Sequence, residues 1–389
     1  MGTKIAAVIC EMNPLHRGHL AILRAAREEA GEDGTVMAVM SGNFVQRGTP
    51  ALFDRYTRAA AVVRAGADLV LELPYPWSSA SAAYFASGGV EIASKASAET
   101  LCFGSECADK KTLAKIAETA ETQTFQAILQ DVAPEIGEAA ARERAFRELL
   151  PDVPAEILRS PNDTLAIAYI TECKKRNLEW SPVKRVSGKD FPGAGAIRQM
   201  ILSDSLAAAA QYLAPDTLPF LRTAANVGRG PIPDVTLTEY LFRVYAVLGE
   251  RLPTGADGSG GVHERLVHCA AEAANGTEWL SLAATKKYTN ARLRRAALFA
   301  VTGVGDDLLH ETPLYTTVLA ANERGRRHLA VLRKIEDFTI LTKPSDFREA
   351  SAGVIAQATV AHRADAIYTK LMLHPADAGF FLREKPAML

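Results

Sequence analysis

His16 and His19, separated by Arg17 and Gly18 in the run Asn13-Pro14-Leu15-His16-Arg17-Gly18-His19, are the side chains whose types and spacing most clearly amount to chemistry. Two imidazoles at this spacing, at the head of a helix, supply hydrogen-bond donors. With the backbone N–H groups and the positive end of the helix dipole they suit the α- and β-phosphates of a nucleoside triphosphate. Gly18 lets the backbone come close to such a ligand. The sequence has no GxxxxGK[ST] and no GxGxxG, so phosphate binding rests on the histidines. It also has no GxSxG and no cysteine with an evident histidine partner. A reaction at a phosphate needs no covalent nucleophile, because aimed donors can stabilise its transition state directly.

Other polar groups admit two readings each. Asp68 and Glu72, four apart on a strand, face the same side and could form a carboxylate site or simply pair with cations. Lys286, Lys287, Arg292, Arg294 and Arg295 recur at helical spacing, as do Arg324, Arg326, Arg327, Arg333 and Lys334; each set is a solvated face or a nucleic-acid phosphate contact. Trp77 stacks on a base or fills the core, and Asn43, Gln46 and Arg47 either face a nucleotide or make a turn. The five cysteines lack CxxC pairs and nearby CxxxH spacing, which excludes a disulfide framework and a zinc site and leaves reduced, mostly buried thiols.

The elements that must position these groups alternate. Residues 4–11 read as a strand, broken at Asn13-Pro14 and followed by a helix through Leu20, Leu23 and Ala26. Strands at 35–41, 68–73 and 100–103 alternate with helices at 50–65 and 81–96, which implies a parallel sheet with right-handed crossovers. Such a sheet carries ligands beyond the carboxyl ends of its strands. There the loops 13–19, 41–48, 74–77 and 104–106 converge. A helical pair is expected as an insertion at about 108–160, then a helix from Ser160 to about Arg176, a last strand near 182–186 and a helix from Gly193. Past residue 205 strand signals fade and helices predominate. The predicted fold is α/β, a Rossmann-like parallel-sheet domain over 1–204 followed by a mostly α-helical domain over 205–389.

With 389 residues, 48% hydrophobic and 23% charged, the chain has the composition of a globular protein long enough for two domains. No stretch of about 18 to 20 apolar residues occurs, so no membrane span is expected. The start of the chain lacks the cationic and small-residue features of a signal peptide, which predicts a cytoplasmic location. A net charge of −1 means that any nucleic acid must be met by a local basic face.

The HxGH element resembles the nucleotidylyltransferase superfamily. The narrower runs 40–48 (MSGNFVQRG), 66–74 (GADLVLELP), 102–106 (CFGSE) and 160–162 (SPN) resemble the bacterial tRNA(Met) cytidine acetate ligase family, as do 285–292 (TKKYTNAR) and 318–325 (VLAANERG). The resemblance implies two steps: acetate attacks ATP to give acetyl-adenylate and pyrophosphate, and N4 of the wobble cytidine in elongator methionine tRNA takes the acetyl group. By carry-over, ATP would meet Ala7, Val8, Ile9, Cys10, Glu11, Met12, Asn13, Pro14, Leu15, His16, Arg17, Gly18, His19 and Leu20, with Gly104, Asn162, Arg185 and Arg198. His16, His19 and Arg198 would be catalytic. Mg²⁺ would accompany the ATP, and Lys286, Lys287, Arg292 and Arg295 would hold tRNA. Where the family usually shows Tyr-His-Asp and a Ser-Ala-Thr-Ala-Ile-Arg turn, this chain has Lys189-Asp190-Phe191 and Gly193-Ala194-Gly195-Ala196-Ile197-Arg198. Arg198 and the helix-start N–H groups are left to hold a phosphate there. Two other readings share the fold. A small-molecule adenylyltransferase would not need a basic helical domain, and a non-catalytic RNA-binding protein would not need His16, Gly18 and His19.

Overall fold

The computed structural model describes residues 4–185, 188, 192–203, 205–335 and 338–389. Lys189, Asp190 and Phe191 lie outside the described residues. The chain opens as β1 (Ile5–Cys10), α1 (Leu20–Ala30), β2 (Thr35–Ser41), the hairpin β3 (Phe44–Val45) and β4 (Thr49–Pro50), α2 (Arg55–Arg64), β5 (Leu69–Leu73), α3 (Ala82–Lys95) and β6 (Thr100–Ser105). It continues through α4 (Lys110–Ala120), α5 (Gln123–Ile136), α6 (Glu138–Leu149), α7 (Ala155–Arg159), α8 (Pro161–Lys175), β7 (Glu179–Lys184) and α9 (Ala194–Ser203). The second half holds α10 (Leu206–Ala209), α11 (Thr217–Asn226), α12 (Asp234–Leu248), α13 (Val262–Glu272), α14 (Gly276–Ala283), α15 (Asn290–Thr302) and α16 (Asp306–His310). It ends in β8 (Tyr315–Ala321), α17 (Glu323–Leu332), β9 (Thr339–Leu341), α18 (Ala352–Leu371), α19 (Phe380–Arg383) and β10 (Ala387–Met388).

The main sheet runs β10-β8-β5-β2-β1-β6-β7, with β9 paired to β8. β1 is central and parallel to both neighbours: Val8 is opposite Ala38 on one side and Cys102 on the other. β2 and β5 are buried along their whole length, as strands between two helical layers must be. Alternation divides the core accordingly. Ala6, Val8, Ala38 and Met40 pack with Leu23 of α1 and Val62 of α2, while Ala7, Ile9, Met37 and Val39 pack with Phe85 of α3 and Ile170 of α8.

Two expectations are corrected. The inserted helical pair is a run of four helices: α5 and α6 meet through Phe125 and Phe146, with ring centroids 4.5 Å apart, while α4 buries Leu113 and Ile116 in the sheet's own core. Strands also do not end before residue 205. β8 pairs antiparallel with β5, and β9 and β10 pair with β8, so residues far beyond 205 complete the sheet. Leu319 shares a core with Val8 and Leu298, and a cut at 204/205 would leave an edge of β5 unpaired. Among the described residues no helix is long and apolar enough to cross a membrane.

Candidate active site

After β1 the backbone turns through Met12, at φ +46°, and a cis Asn13-Pro14 bond. The turn is tied down from several sides. Asn13 accepts from the Leu52 amide through its side-chain oxygen (2.8 Å) and from Arg198 through its carbonyl (2.9 Å). Glu11 accepts from the Gln46 amide (2.9 Å). The buried Arg58 guanidinium donates to the carbonyls of Glu11, Ser41, Gly42 and Phe53, so one cation joins the ends of β1 and β2.

The loop delivers His16 to the N-cap of a single 3₁₀ turn, Arg17–His19, that runs directly into α1. Nδ1 of His16 accepts from the Gly18 amide (3.1 Å), and Nδ1 of His19 accepts from the His16 amide (3.2 Å). A ring whose Nδ1 accepts carries its proton on Nε2, so each imidazole keeps one N–H donor. A Cβ on Gly18 would lie 2.9 Å from Cε1 of His16, so only glycine lets that ring fold over the amide. The ring centroids are 3.8 Å apart. Burial, with a lesser push from Arg185, lowers the His16 pKa to about 4; burial, His16 and Arg185 hold His19 well below its ordinary value. Both rings are neutral donors at pH 7.

β1 and β6 are adjacent, yet the chain reaches β2 and β5 before crossing back to β6, so the direction of strand addition reverses between β1 and β6. Outside their carboxyl ends lies a cavity of about 440 Å³. Val8, Ile9, Cys10, Glu11, Met12, Asn13, His16, Gly18, His19, Gly104, Asn162, Arg185 and Arg198 all line it. Ala7, Leu15 and Leu20 instead pack into the hydrophobic core, Pro14 is buried and Arg17 is exposed, all outside the cavity wall. Cys10 is in the wall, but burial pushes its thiol up to about 12, so it is no nucleophile at neutral pH.

Sequence reading passed over the hub of this wall. Glu106 accepts from Ser160 Oγ (2.6 Å), Asn162 Nδ2 (2.6 Å) and Arg185 (2.8 Å), joining the end of β6 to the head of α8 and the end of β7. Although burial opposes it, these bonds hold its carboxyl below the usual range. Arg58 was equally invisible as a site residue; its signal is an arginine on the apolar face of an alanine- and valine-rich helix.

The remaining candidates separate. Asp68 pairs with Arg27 and accepts from the Val36 amide and Asn322, and Trp77 is in the core, so both are structural. Glu72 faces Arg55 (3.1 Å) in a second, smaller cavity. Arg292 donates to the carbonyls of Asp257 (3.1 Å) and Ser259 (3.0 Å), Arg295 pairs with Asp257, and Lys287 donates to the Pro134 carbonyl (2.6 Å). Of that basic set only the exposed Lys286 and the half-buried Arg294 make no side-chain hydrogen bond or ion pair among the described residues. The set is therefore mainly a brace for the 254–261 loop and the α5–α6 tip.

The sequence profile of the HIGH Nucleotidyl Transferase family matches residues 3–378. A tRNA(Met) cytidine acetate ligase of Listeria monocytogenes serotype 4b is 32% identical, over 94% of each chain. That of Thermoanaerobacter sp. strain X514 is 31% identical, over 89% of this chain and 90% of its own length. The crystal structure of Thermotoga maritima TmcAL bound with alpha-thio ATP superposes with a TM-score of 0.90 at 28% identity, over 99% of each chain.

Proposed function

The chain belongs to the HIGH nucleotidyl transferase family and, within it, to the tRNA(Met) cytidine acetate ligases, and from that premise we propose that it activates acetate with ATP and passes the acetyl group to N4 of the wobble cytidine in elongator methionine tRNA. In the first step an acetate oxygen bonds to the α-phosphorus as the bond to the bridging oxygen of pyrophosphate breaks. In the second the cytidine amine bonds to the acyl carbon, AMP leaves with the electron pair of the broken C–O bond, and the amine releases a proton.

The observation that carries this reading is the pair of neutral imidazoles, each with Nδ1 tied to backbone and Nε2–H left to donate, beside the cavity at the β1/β6 reversal. Charge that builds on the phosphate oxygens meets donors already in place, at the positive end of a helix. Arg198 and Arg185 add cationic donors on the facing wall. A Cβ at Gly193 or Gly195 would come no closer than 3.6 Å or 3.9 Å to a guanidinium, so the missing hydroxyls leave open space and not a distorted turn.

Magnesium enters this reading as the companion of ATP. Among the described residues no three His, Cys, Asp or Glu side chains are grouped to hold a metal, and the one carboxylate in the cavity wall, Glu11, is engaged by the Gln46 amide. A divalent ion would come to this site with the nucleotide, held by its phosphate oxygens and by water. A tRNA acceptor implies a cytoplasmic enzyme, and Lys286 is the exposed member of the 286–295 set that is free to meet the RNA backbone.

Pyrophosphate release measured with ATP and acetate, with and without tRNA, tests the reading. Acetate-dependent release without RNA, followed by acetyl transfer when tRNA is added, is expected. Release that only a small amine acceptor completes would point to a small-molecule adenylyltransferase, and RNA binding without release to a non-catalytic protein.

A further inference from the structure

The cavity has two lips, and only one is accounted for by the nucleotide-facing groups. His16, His19, Gly104, Asn162 and Arg185 lie at β1 and on its β6–β7 side. On the β2 side the wall is the β3–β4 hairpin, with Val45, Gln46 and Arg47. Arg47 is exposed and makes no hydrogen bond or ion pair among the described residues. Gly48, at φ +67°, is seated on the second turn of α15: a Cβ there would lie 2.9 Å from the Arg295 nitrogen and 3.2 Å from the Arg294 carbonyl carbon. The hairpin thereby brings Arg47 beside Arg294. The Arg294 side chain is also without a partner among the described residues, and its Nε is fully buried.

A buried, unpartnered guanidinium nitrogen costs free energy, and two like charges in electrostatic reach of each other add to the cost. Burial, with Arg47 adding to it and Asp234 opposing, pulls the Arg294 pKa below its ordinary value. Asp234, the carboxylate within that reach, is shared with Arg198. The cluster has one acid, Asp234, for three arginines, an excess of positive charge that suits an anionic ligand.

We propose that Arg47 and Arg294 form a phosphate-binding pair on the β2-side lip that takes a backbone phosphate of the RNA acceptor as its target base enters the cavity. The inference rests on the RNA-acceptor reading above. A phosphate oxyanion fits the pair whether it comes from RNA or from the tail of the nucleotide; its place across β1 from Asn162 and Arg185 assigns it to the second substrate. Arg47 comes from the sheet half and Arg294 from the helical half, so the pair also explains why Gly48 locks the two together.

Wild type, Arg47→Gln, Arg294→Gln and the double variant, each full length, are compared in two assays: acetate-dependent pyrophosphate release without RNA against ATP concentration, and binding of methionine tRNA across a salt series. The double variant should raise the tRNA Kd about tenfold or more. Its log–log salt slope should flatten by about 0.7 to 0.9 for each phosphate that is no longer neutralised, while KM for ATP stays within about twofold. Arg47→Gln, an exposed change that removes no hydrogen bond or ion pair among the described residues, should show about half of the slope change by itself. A large rise in KM for ATP with unchanged tRNA binding would give the pair to the triphosphate and overturn the assignment, as would variants matching wild type in both assays. A wild-type chain that binds no tRNA would instead sink the RNA-acceptor reading, which the variants leave untouched.

Discussion

Two clusters of charged and polar groups flank the 42–48 loop, and they are built in opposite ways. Behind the loop, Arg55 donates to both oxygens of Asp365 (2.8 and 2.7 Å) and reaches Glu72, while Asn43 donates to Asp365 (2.8 Å) and accepts from the Arg55 amide (3.0 Å). All four residues are buried, the space left beside them is about 50 Å³, and the cluster binds α2, β5 and α18 together. In front of the loop, the rings of His16 and His19 satisfy only their Nδ1 atoms internally, and the side chains of Arg47 and Arg294 make no hydrogen bond or ion pair among the described residues. Charge by itself does not mark function. Spare hydrogen-bonding capacity beside a cavity large enough for a nucleotide does.

The sharpest test of this contrast is to break the rear cluster. Asp365→Ala leaves Arg55 buried with Glu72 alone, and losing one partner of a buried ion pair costs about 3–5 kcal/mol. Denaturant unfolding should show that loss, with KM for ATP near normal in the protein that remains folded; a loss below about 1 kcal/mol would mean the cluster is no lock.

The front cluster should behave in reverse. His16→Ala or His19→Ala should leave the unfolding midpoint close to wild type but slow acetate-dependent pyrophosphate release by roughly a hundred- to a thousand-fold, about 2.7–4 kcal/mol of transition-state stabilisation. Near-normal turnover in either variant would remove that ring from the reaction.

A pH series gives the next effect in size. The His16 pKa lies near 4 in the fold against 6.5 unfolded, so between those values the unfolded chain binds more protons and stability rises with pH. Stability should therefore fall as pH drops from 6.5 toward 4, by up to about 3 kcal/mol from this group. His16→Gln should lose that part of the dependence; an unchanged slope would show the ring charging freely in the folded state. The smallest effect belongs to the facing wall: Arg198→Ala should raise KM for ATP about tenfold, the loss of one charge-assisted hydrogen bond, whereas Gly193→Ser with Gly195→Thr should leave it equal or lower. A double glycine variant that no longer uses ATP would show that the turn needs its glycines.

Much of the first half was legible in the sequence, because its signals are local. The apolar run at 5–10, the Asn13-Pro14 break and the helical spacing of Leu20 and Leu23 specify strand, loop and helix without help from elsewhere, and Ser160-Pro161 starts α8 where its capping chemistry says it should. β8 was not legible. Tyr315–Ala321 lies among helices, and it becomes a strand because β5, far earlier in the chain, offers it an open edge.

What the sequence determined by itself was the set of groups and their order: two imidazoles at a strand-to-helix junction, and loops at the ends of parallel strands, since period, capping and turn chemistry act over a few residues. Only the tertiary structure decided what each group was free to do. The ring proton on Nε2 depends on how the backbone folds around Gly18, the roles of Asn162 and Arg185 depend on Glu106, and Arg292 and Arg295 turn inward to a loop that is distant along the chain. Hydrogen-bond partners and burial are set by whatever distant segment packs alongside, and no local pattern carries that information.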